Sequence, residues 1–115
     1  RVEAVGGLVE QQQVGQAEHR LGDAEPLAQA FVRDMWKSGK PTCAICHGQW
    51  VMVSAGILKG KKATAVWNIH VDLENAGAIV SDEPCVVDGN LITARFPYDL
   101  PRMVQAMVKQ LMPAG

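Results

Sequence analysis

Hydrophobic residues recur along this chain at two spacings, and the helical spacing is the clearer of the two. Two segments place their apolar side chains on one helical face. In the first segment that face is formed by Leu27, Ala30, Phe31 and Met35, and Arg33, Asp34 and Lys37 lie on the opposite face. In the second segment it is formed by Leu100, Met103, Val104, Met107, Val108 and Leu111. We predict that Asp23 caps the first helix, which Gly39 ends, and that Asp99 caps the second. A shorter helix is predicted from Asn68 to Gly77.

Short apolar runs between turn-forming residues predict the strands. They are residues 42–45, 62–66, 78–80, 85–87 and 91–94. Asp88, Gly89 and Asn90 separate the last two runs, and this is a typical hairpin sequence because glycine tolerates a positive φ in the turn. Helices that alternate with short β-rich runs are typical of an α/β fold.

The segment from Lys40 to Gly56 is the part around which the chain is organised. An apolar run leads into Cys46, His47 and Gly48 and continues without a linker into a helical pattern. This order predicts a strand, a sharp turn and a helix. Such a turn lifts the residue at its apex, Cys46, out of the sheet edge and places it at the helix N-terminus. The dipole and the free N–H groups there favour an anionic side chain, so Cys46 is a candidate nucleophile.

Composition restricts the class of protein. With 115 residues, 48% of them hydrophobic and 20% charged, the chain fits one compact domain with an ordinary core. A formal net charge of -1 and scattered basic residues argue against a nucleic-acid or anionic-membrane surface. The sequence shows neither an apolar run of membrane-spanning length nor a signal segment, and its three cysteines do not suggest a secreted disulfide framework, so we expect a cytoplasmic protein.

Several motifs accompany the reactive turn. They are residues 45–48 (ICHG), 54–56 (SAG), 58–60 (LKG), 72–77 (DLENAG) and 87–95 (VDGNLITAR). In this order they resemble the PfpI-type intracellular protease family, which belongs to the superfamily of the Parkinsonism-associated deglycase and the class I glutamine amidotransferases. The similarity covers about residues 25–112. We therefore expect a divergent N-terminal segment, residues 1–24, and a PfpI-like domain, residues 25–115, that lacks the usual N-terminal part of the family fold.

The resemblance implies a flavodoxin-like three-layer α/β sandwich with a mostly parallel sheet and a nucleophile elbow at Cys46. It implies catalysis by Cys46 with His47 beside it, and no metal or organic cofactor. By resemblance, the reaction is hydrolysis of small peptides, or removal of glyoxal-type adducts from thiols and amines, in a stress-protective role. The family assembles as dimers and larger rings with active sites at subunit contacts, so a homo-oligomer is expected, without a nucleic-acid or membrane partner. Independently of the resemblance, Trp50 and Trp67 are candidates to line the cleft because each is close in sequence to the turn or to a strand end.

The other groups of the site are less well defined by the sequence. The backbone N–H groups of His47 and Gly48 are the expected oxyanion donors, since a small residue after the turn lets a substrate carbonyl approach. In the resembled family, an acidic residue from a neighbouring subunit completes the site, and a glutamate early in the chain contacts the sulfur. Glu3, Glu10 and Glu18 are candidates to replace these acids, but no motif places them.

Two other functions fit parts of the same segment. Residues 43–47 match the Cys-x-x-Cys-His attachment signature of c-type haem, with His47 as axial ligand, but haem attachment requires export and no signal segment is visible. A strand over residues 42–45 also points Cys43 and Cys46 to opposite faces, which disfavours a dithiol or zinc pair and leaves core packing as the role of Cys43. Core packing is also expected for Cys85 at a strand start, with a peripheral oxidisable thiol as the alternative. The second alternative is a non-catalytic redox-sensing or chaperone-like stress protein in which Cys46 is oxidised reversibly.

Overall fold

The computed structural model of the chain describes residues 26–112. Within that range the helices are α1 (Leu27–Lys37), α2 (Gln49–Ala55), α3 (His70–Asn75) and α4 (Leu100–Leu111). The strands are β1 (Thr42–Ile45), β2 (Lys62–Ala63), β3 (Ile79–Val80), β4 (Cys85–Asp88) and β5 (Leu91–Ala94). Two 3-10 turns, Trp67–Ile69 and Pro97–Asp99, lead into α3 and α4. The predicted α/β alternation is therefore confirmed across the described residues.

The strands form two small sheets with mostly parallel pairing. In the three-stranded sheet, β5 lies in the middle, parallel to β1 and antiparallel to β4. The hairpin turn between β4 and β5 contains Gly89 with φ 61°, as the sequence predicts. In the second sheet β2 runs parallel to β3, but only Lys62 and Ala63 of the predicted strand 62–66 form ladder pairs. The N–H of Thr64 instead donates to the Thr93 hydroxyl at 2.9 Å, which ties the two sheets together.

Helices cover both faces of the three-stranded sheet, so the described residues form three layers. On one face, α1, α2 and α3 enclose the larger cluster of buried apolar residues, which includes Leu58, Ile69, Leu73 and Leu91. On the other face, α4 packs over a smaller cluster around Ile92, Ala94 and Met103. Alternate residues of β5 supply the two clusters because successive side chains of a strand point to opposite faces. All four residues of β5 are buried, as expected for a central strand.

The buried faces of α1 and α4 differ from the predicted ones. In α1 the side chains that pack on the core are Val32 and Trp36, whereas Phe31 is 64% exposed. In α4 Met103 is buried, but Leu100, Val104, Val108 and Leu111 of the predicted stripe are exposed. In α3, whose buried face the sequence does not predict, Leu73 is buried and Val71 is 56% exposed. The apolar stripes on these helices are wider than the surface that the sheet offers, so helical spacing alone does not tell which part of a stripe is buried.

Side-chain caps contribute less to the helix starts than the sequence predicts. Asp23 lies outside the described residues, and α1 begins after Pro26 without a side-chain cap. Asp99 precedes α4 without capping it. Its carboxylate instead accepts hydrogen bonds from the Arg95 Nε at 3.1 Å and from the Phe96 backbone N–H at 3.3 Å. None of the helices among residues 26–112 is long and apolar enough to cross a membrane.

A strained cysteine turn as the candidate active site

The backbone leaves β1 through a left-handed residue. Cys46 has φ 66°, and within residues 26–112 it is the only residue other than glycine with a positive φ. A left-handed conformation costs a residue with a side chain about 1–2 kcal/mol, so the surrounding structure must hold it in place. Two backbone bonds do so: the Cys46 N–H donates to the Ala94 carbonyl at 3.2 Å, and the Cys46 carbonyl accepts from the Val66 N–H at 3.3 Å. The predicted strand, sharp turn and helix are confirmed.

Gly48 makes the turn tight enough for α2 to start at once. A Cβ atom at this position would lie 3.2 Å from the Ile45 carbonyl oxygen and 3.5 Å from the Ala44 Cβ. The Gly48 N–H donates to that same Ile45 carbonyl at 3.0 Å. Any larger residue would push the helix away from the end of β1, because a Cβ is rarely found so close to another backbone.

His47 lies beside the sulfur. Its Nδ1 is 3.3 Å from the Cys46 Sγ, and its ring packs against Trp50 with 5.1 Å between the ring centroids. Trp50 in turn donates from Nε1 to the Asp72 carboxylate at 2.7 Å, so Asp72 bonds to the indole and not to the imidazole. The predicted pairing of Cys46 and His47 is therefore present in the geometry. Glu3, Glu10 and Glu18 lie outside the described residues, as does the whole segment 1–24.

The two predicted oxyanion donors are not equally available. The Gly48 N–H donates to the Ile45 carbonyl in this conformation, as described above. Among the described residues, the His47 N–H has no acceptor. It is therefore the amide of the turn that can donate to a developing negative charge.

A buried glutamine lies below the turn and is not among the predicted site residues. Gln49 is completely buried, and its Nε2 lies 3.3 Å from the Ala44 carbonyl, 2.8 Å from that of Thr64 and 2.9 Å from that of Ala94. Its side chain thus connects the ends of β1, β2 and β5. The available signal was its helical phase, since Gln49 and Met52 are three residues apart and share the buried face of α2.

Cys43 and Cys46 point to opposite sides of the sheet, as predicted. Cys43 packs with Cys85 against the cluster under α4, whereas Cys46 packs against the cluster under α1, α2 and α3. All three thiols are free. Burial raises the pKa of both Cys43 and Cys85 above the ordinary 9.0, with the charge of Asp99 as a further cause at Cys85. Within residues 26–112 no group of three side chains is arranged to hold a metal ion.

Three aromatic side chains, two of them exposed and one half-buried, form a rim near the reactive turn. Trp67 packs against Phe96 at 5.0 Å, and Phe96 stacks on Tyr98 at 5.0 Å. Trp67 is 66% and Tyr98 74% exposed. Trp67 follows Val66, and Phe96 is two residues beyond Ala94, so the rim extends from the two backbone segments that bond to Cys46. We call these three residues, Trp67, Phe96 and Tyr98, the aromatic rim. Of the two tryptophans expected to line the cleft, Trp67 belongs to this rim and Trp50 contacts His47.

A groove lies beside Trp50. It has a volume of about 470 Å³ and is lined by Trp50, Val53, Ser54, Asp72, Asn75 and Ala76. Its walls are the exposed sides of α2 and α3. Trp50 lines the groove and also packs on His47, so the groove lies beside the histidine of the turn.

Comparison with known proteins agrees with this geometry. Residues 15–110 match the model of the DJ-1/PfpI family. An uncharacterized protein of Staphylococcus aureus is 45% identical over 94 residues, which are 82% of this chain and 55% of the relative, so the chain spans about half the length of the curated relatives it matches. Solved structures give the same result. A two-domain protein of Anabaena variabilis with DJ-1/ThiJ/PfpI-like and ferritin-like domains has a TM-score of 0.72 and is 42% identical in sequence. The match covers 76% of this chain and 26% of that one. Schizosaccharomyces pombe DJ-1 has a TM-score of 0.67 and 26% identity, covering 78% and 47%. The flavodoxin-like α/β fold is thereby confirmed, and the chain belongs to the DJ-1/PfpI family.

Proposed function

We propose that this chain carries the nucleophile of a cysteine-dependent hydrolase in which Cys46 attacks a carbonyl carbon and His47 moves the proton. The observation that carries the proposal is the Cys46 Sγ at 3.3 Å from the His47 Nδ1, at a residue held with φ 66°. A sharp turn at the end of a strand presents a nucleophile in this way, and an adjacent imidazole activates it.

We propose the following steps for these groups. The imidazole accepts the thiol proton at Nδ1, and the sulfur adds to the substrate carbonyl carbon while the π electron pair moves onto oxygen. In this proposal the backbone N–H of His47 donates to that oxygen. The imidazolium returns the proton to the leaving amine as the C–N bond breaks, which leaves a thioester on Cys46. A water molecule then adds to the thioester, and cleavage of the C–S bond releases a carboxylic acid and restores the thiol.

The substrate class we propose is a small peptide, with a glyoxal-type adduct of an amine or thiol as the second option. Both offer an electrophilic carbonyl carbon to the same sulfur, so one site can begin either reaction. We further propose a stress-protective role in the cytoplasm, assembly as a homo-oligomer, and one domain over residues 25–115 preceded by a divergent segment 1–24. These proposals rest on the chain's similarity to its family, which covers residues 15–110.

Selective alkylation tests the nucleophile. Iodoacetamide labelling, followed by mass spectrometry between about pH 6 and pH 9, is expected to modify Cys46 first. Burial raises the pKa of Cys43 and Cys85, so these thiols remain protonated until the pH rises above the ordinary 9.0 and should be labelled last. Cys46→Ala should remove the fast phase, and Cys43→Ala, the matched control, should keep it.

The same variants then enter a screen with short fluorogenic peptides and with methylglyoxal adducts of amines and thiols. We expect turnover by the chain and by Cys43→Ala, and none by Cys46→Ala. Labelling of Cys46 no faster than Cys43, or turnover that survives Cys46→Ala, would show that the proposed nucleophile is wrong.

A second function, reversible oxidation of Cys46 in a redox-sensing or chaperone-like protein, is favoured by one observation. Within residues 26–112 no carboxylate is hydrogen-bonded to His47, and Asp72 bonds to Trp50 instead. In this reaction the thiolate reduces a peroxide to the corresponding alcohol or water and becomes a sulfenic acid, which a second thiol later reduces. Fast labelling of Cys46 without turnover, together with a sulfenic acid at Cys46 after peroxide treatment, would favour this function over hydrolysis.

A further inference from the structure

The side chain of Gln49 is placed where three strand ends meet under the reactive turn. Ala44 lies in β1, Ala94 ends β5, and Thr64 directly follows β2. The Gln49 Nε2 is within 3.3 Å of the carbonyl oxygen of each. These contacts span up to 45 positions of sequence, so one amide fixes the relative position of strands that are distant along the chain.

The orientation of the amide follows from its surroundings. Three carbonyl oxygens converge on one end of the Gln49 side chain, and an amide oxygen placed there would face three acceptors and no donor. The nitrogen therefore occupies that end. It has two hydrogens, and the shorter contacts, to Thr64 at 2.8 Å and Ala94 at 2.9 Å, are the bonds it makes in full.

The same contacts hold Cys46. The Ala94 carbonyl that accepts from Gln49 also accepts the Cys46 N–H, and Val66, whose N–H bonds to the Cys46 carbonyl, is two residues from Thr64. Both backbone bonds that maintain the left-handed conformation of Cys46 thus run to segments that Gln49 connects. Loosening these segments frees Cys46 to relax toward an ordinary backbone conformation.

The amide oxygen indicates that folding stability alone does not explain why position 49 holds a glutamine. Oε1 is buried and has no hydrogen-bond partner within the described part of the chain. A buried acceptor without a partner opposes folding, and an apolar side chain of similar volume would avoid that cost. The stability that the two donated hydrogen bonds add is offset by the cost of the unpaired oxygen. The two bonds nevertheless still fix the relative positions of the strand ends.

We propose that Gln49 is a positioning residue that holds the carboxyl ends of β1, β2 and β5 together and thereby keeps the Cys46 sulfur in its reactive orientation. The inference rests on the proposed function only in taking Cys46 as the reactive thiol. According to this inference, Gln49 of α2 is one of the residues that determine the reactivity of the Cys46 thiol.

The test measures the iodoacetamide labelling rate of Cys46 in the 115-residue chain and in Gln49→Met, with urea unfolding of both. Methionine has a similar volume and donates no hydrogen bond. Labelling at neutral pH is expected to slow by about tenfold to a hundredfold, the range that a misplaced reactive group shows. The matched control is Asn90→Ala, which removes a similar side-chain amide that donates to the Trp36 and Lys40 carbonyls at the opposite end of β1. Asn90→Ala should leave the labelling rate unchanged whatever it does to stability.

A second variant separates positioning from folding. Gln49→Glu introduces a carboxyl that donates one hydrogen bond only while protonated, and burial among carbonyl oxygens favours the protonated form. The ratio of the variant's labelling rate to that of the unmodified chain should therefore be close to one at low pH and fall as the pH rises. A purely structural role would shift the urea midpoint without changing this ratio while the variant remains folded.

The outcomes distinguish this inference from the proposed function. If Cys46 of the unmodified chain is labelled no faster than Cys43, the nucleophile itself is wrong. If Cys46 is labelled fast and folded Gln49→Met is labelled equally fast, the positioning role is wrong. If Gln49→Met does not fold, the pH dependence of the Gln49→Glu ratio decides, and a ratio that is constant with pH overturns the inference.

Discussion

Cys46 shows how much a single residue depends on its neighbours. Its φ of 66° is unfavourable for a residue with a side chain, yet it directs the sulfur toward His47 at 3.3 Å. The sequence predicts the turn from the run that ends at Cys46, His47 and Gly48. The backbone bonds from Cys46 to Ala94 and from Val66 to Cys46 are not predictable in this way, because their partners are 48 and 20 positions away.

Backbone strain at Cys46 predicts that glycine at this position is more stabilising than alanine. Cys46→Gly should be more stable than Cys46→Ala by about 0.5–1 kcal/mol, since glycine adopts a positive φ without steric cost and this outweighs its entropy in the unfolded chain. Urea unfolding of the two variants measures the difference. At Cys85, in ordinary strand geometry on β4, the order should reverse, with Cys85→Ala more stable than Cys85→Gly. A Cys46→Gly variant less stable than Cys46→Ala would show that the turn stores no strain.

At the level of secondary structure, α1 and α2 are joined by a side chain that the sequence places outward. Arg33 donates from Nε at 2.9 Å and from Nη2 at 2.6 Å to the Ala55 carbonyl, the last residue of α2. A cation at the C-terminal end of a helix also interacts favourably with the helix dipole. Helical spacing predicts α1 but not this contact, because the neighbour of α1 is known only once the fold has formed.

Loss of this contact should destabilise the fold measurably. We expect Arg33→Met to lower the free energy of unfolding by about 1–2 kcal/mol, as hydrogen bonds from a charged donor usually do. Lys37→Met is the matched control, because it removes an exposed basic residue from the last turn of the same helix and should change stability by less than about 0.5 kcal/mol. Urea denaturation gives both values, and equal effects for the two variants would contradict the assigned role of Arg33.

For the whole molecule, the decisive feature is that helices lie on both sides of the sheet of β1, β5 and β4. The larger core lies on the side that also carries the reactive turn, and Cys46 packs against it. Stability of that core and the geometry of the turn are therefore linked. The smaller core under α4 holds Cys43 and Cys85, which explains why three cysteines of one chain lie in different environments.

Burial in the core predicts which apolar residues of α3 contribute to the stability of the fold. Leu73 is completely buried and Val71 is 56% exposed, although both are apolar residues of the same helix. Leu73→Ala should cost about 2–5 kcal/mol, through lost apolar contacts and the cavity left behind. Val71→Ala should cost less than about 0.5 kcal/mol. Thermal or urea unfolding compares the two, and a Val71→Ala effect as large as that of Leu73→Ala would contradict the observed orientation of α3.

The sequence by itself determined the order of the elements and the reactive turn. Local signals suffice for these features: helical spacing for α1 and α4, glycines with positive φ at Gly39, Gly56, Gly77 and Gly89, and the triplet that ends β1. Motif order also indicated the family, which the comparisons confirmed.

Only the tertiary structure decided which side chains surround the sulfur. The bonds of Gln49, the contact of Arg33 with α2, the engagement of the Gly48 N–H and the aromatic rim all join residues whose relative positions depend on how strands and helices pack. Side-chain type and spacing determine local conformation, because they act through neighbouring backbone. Long-range contacts depend on the packing of all elements at once, so no local pattern specifies them.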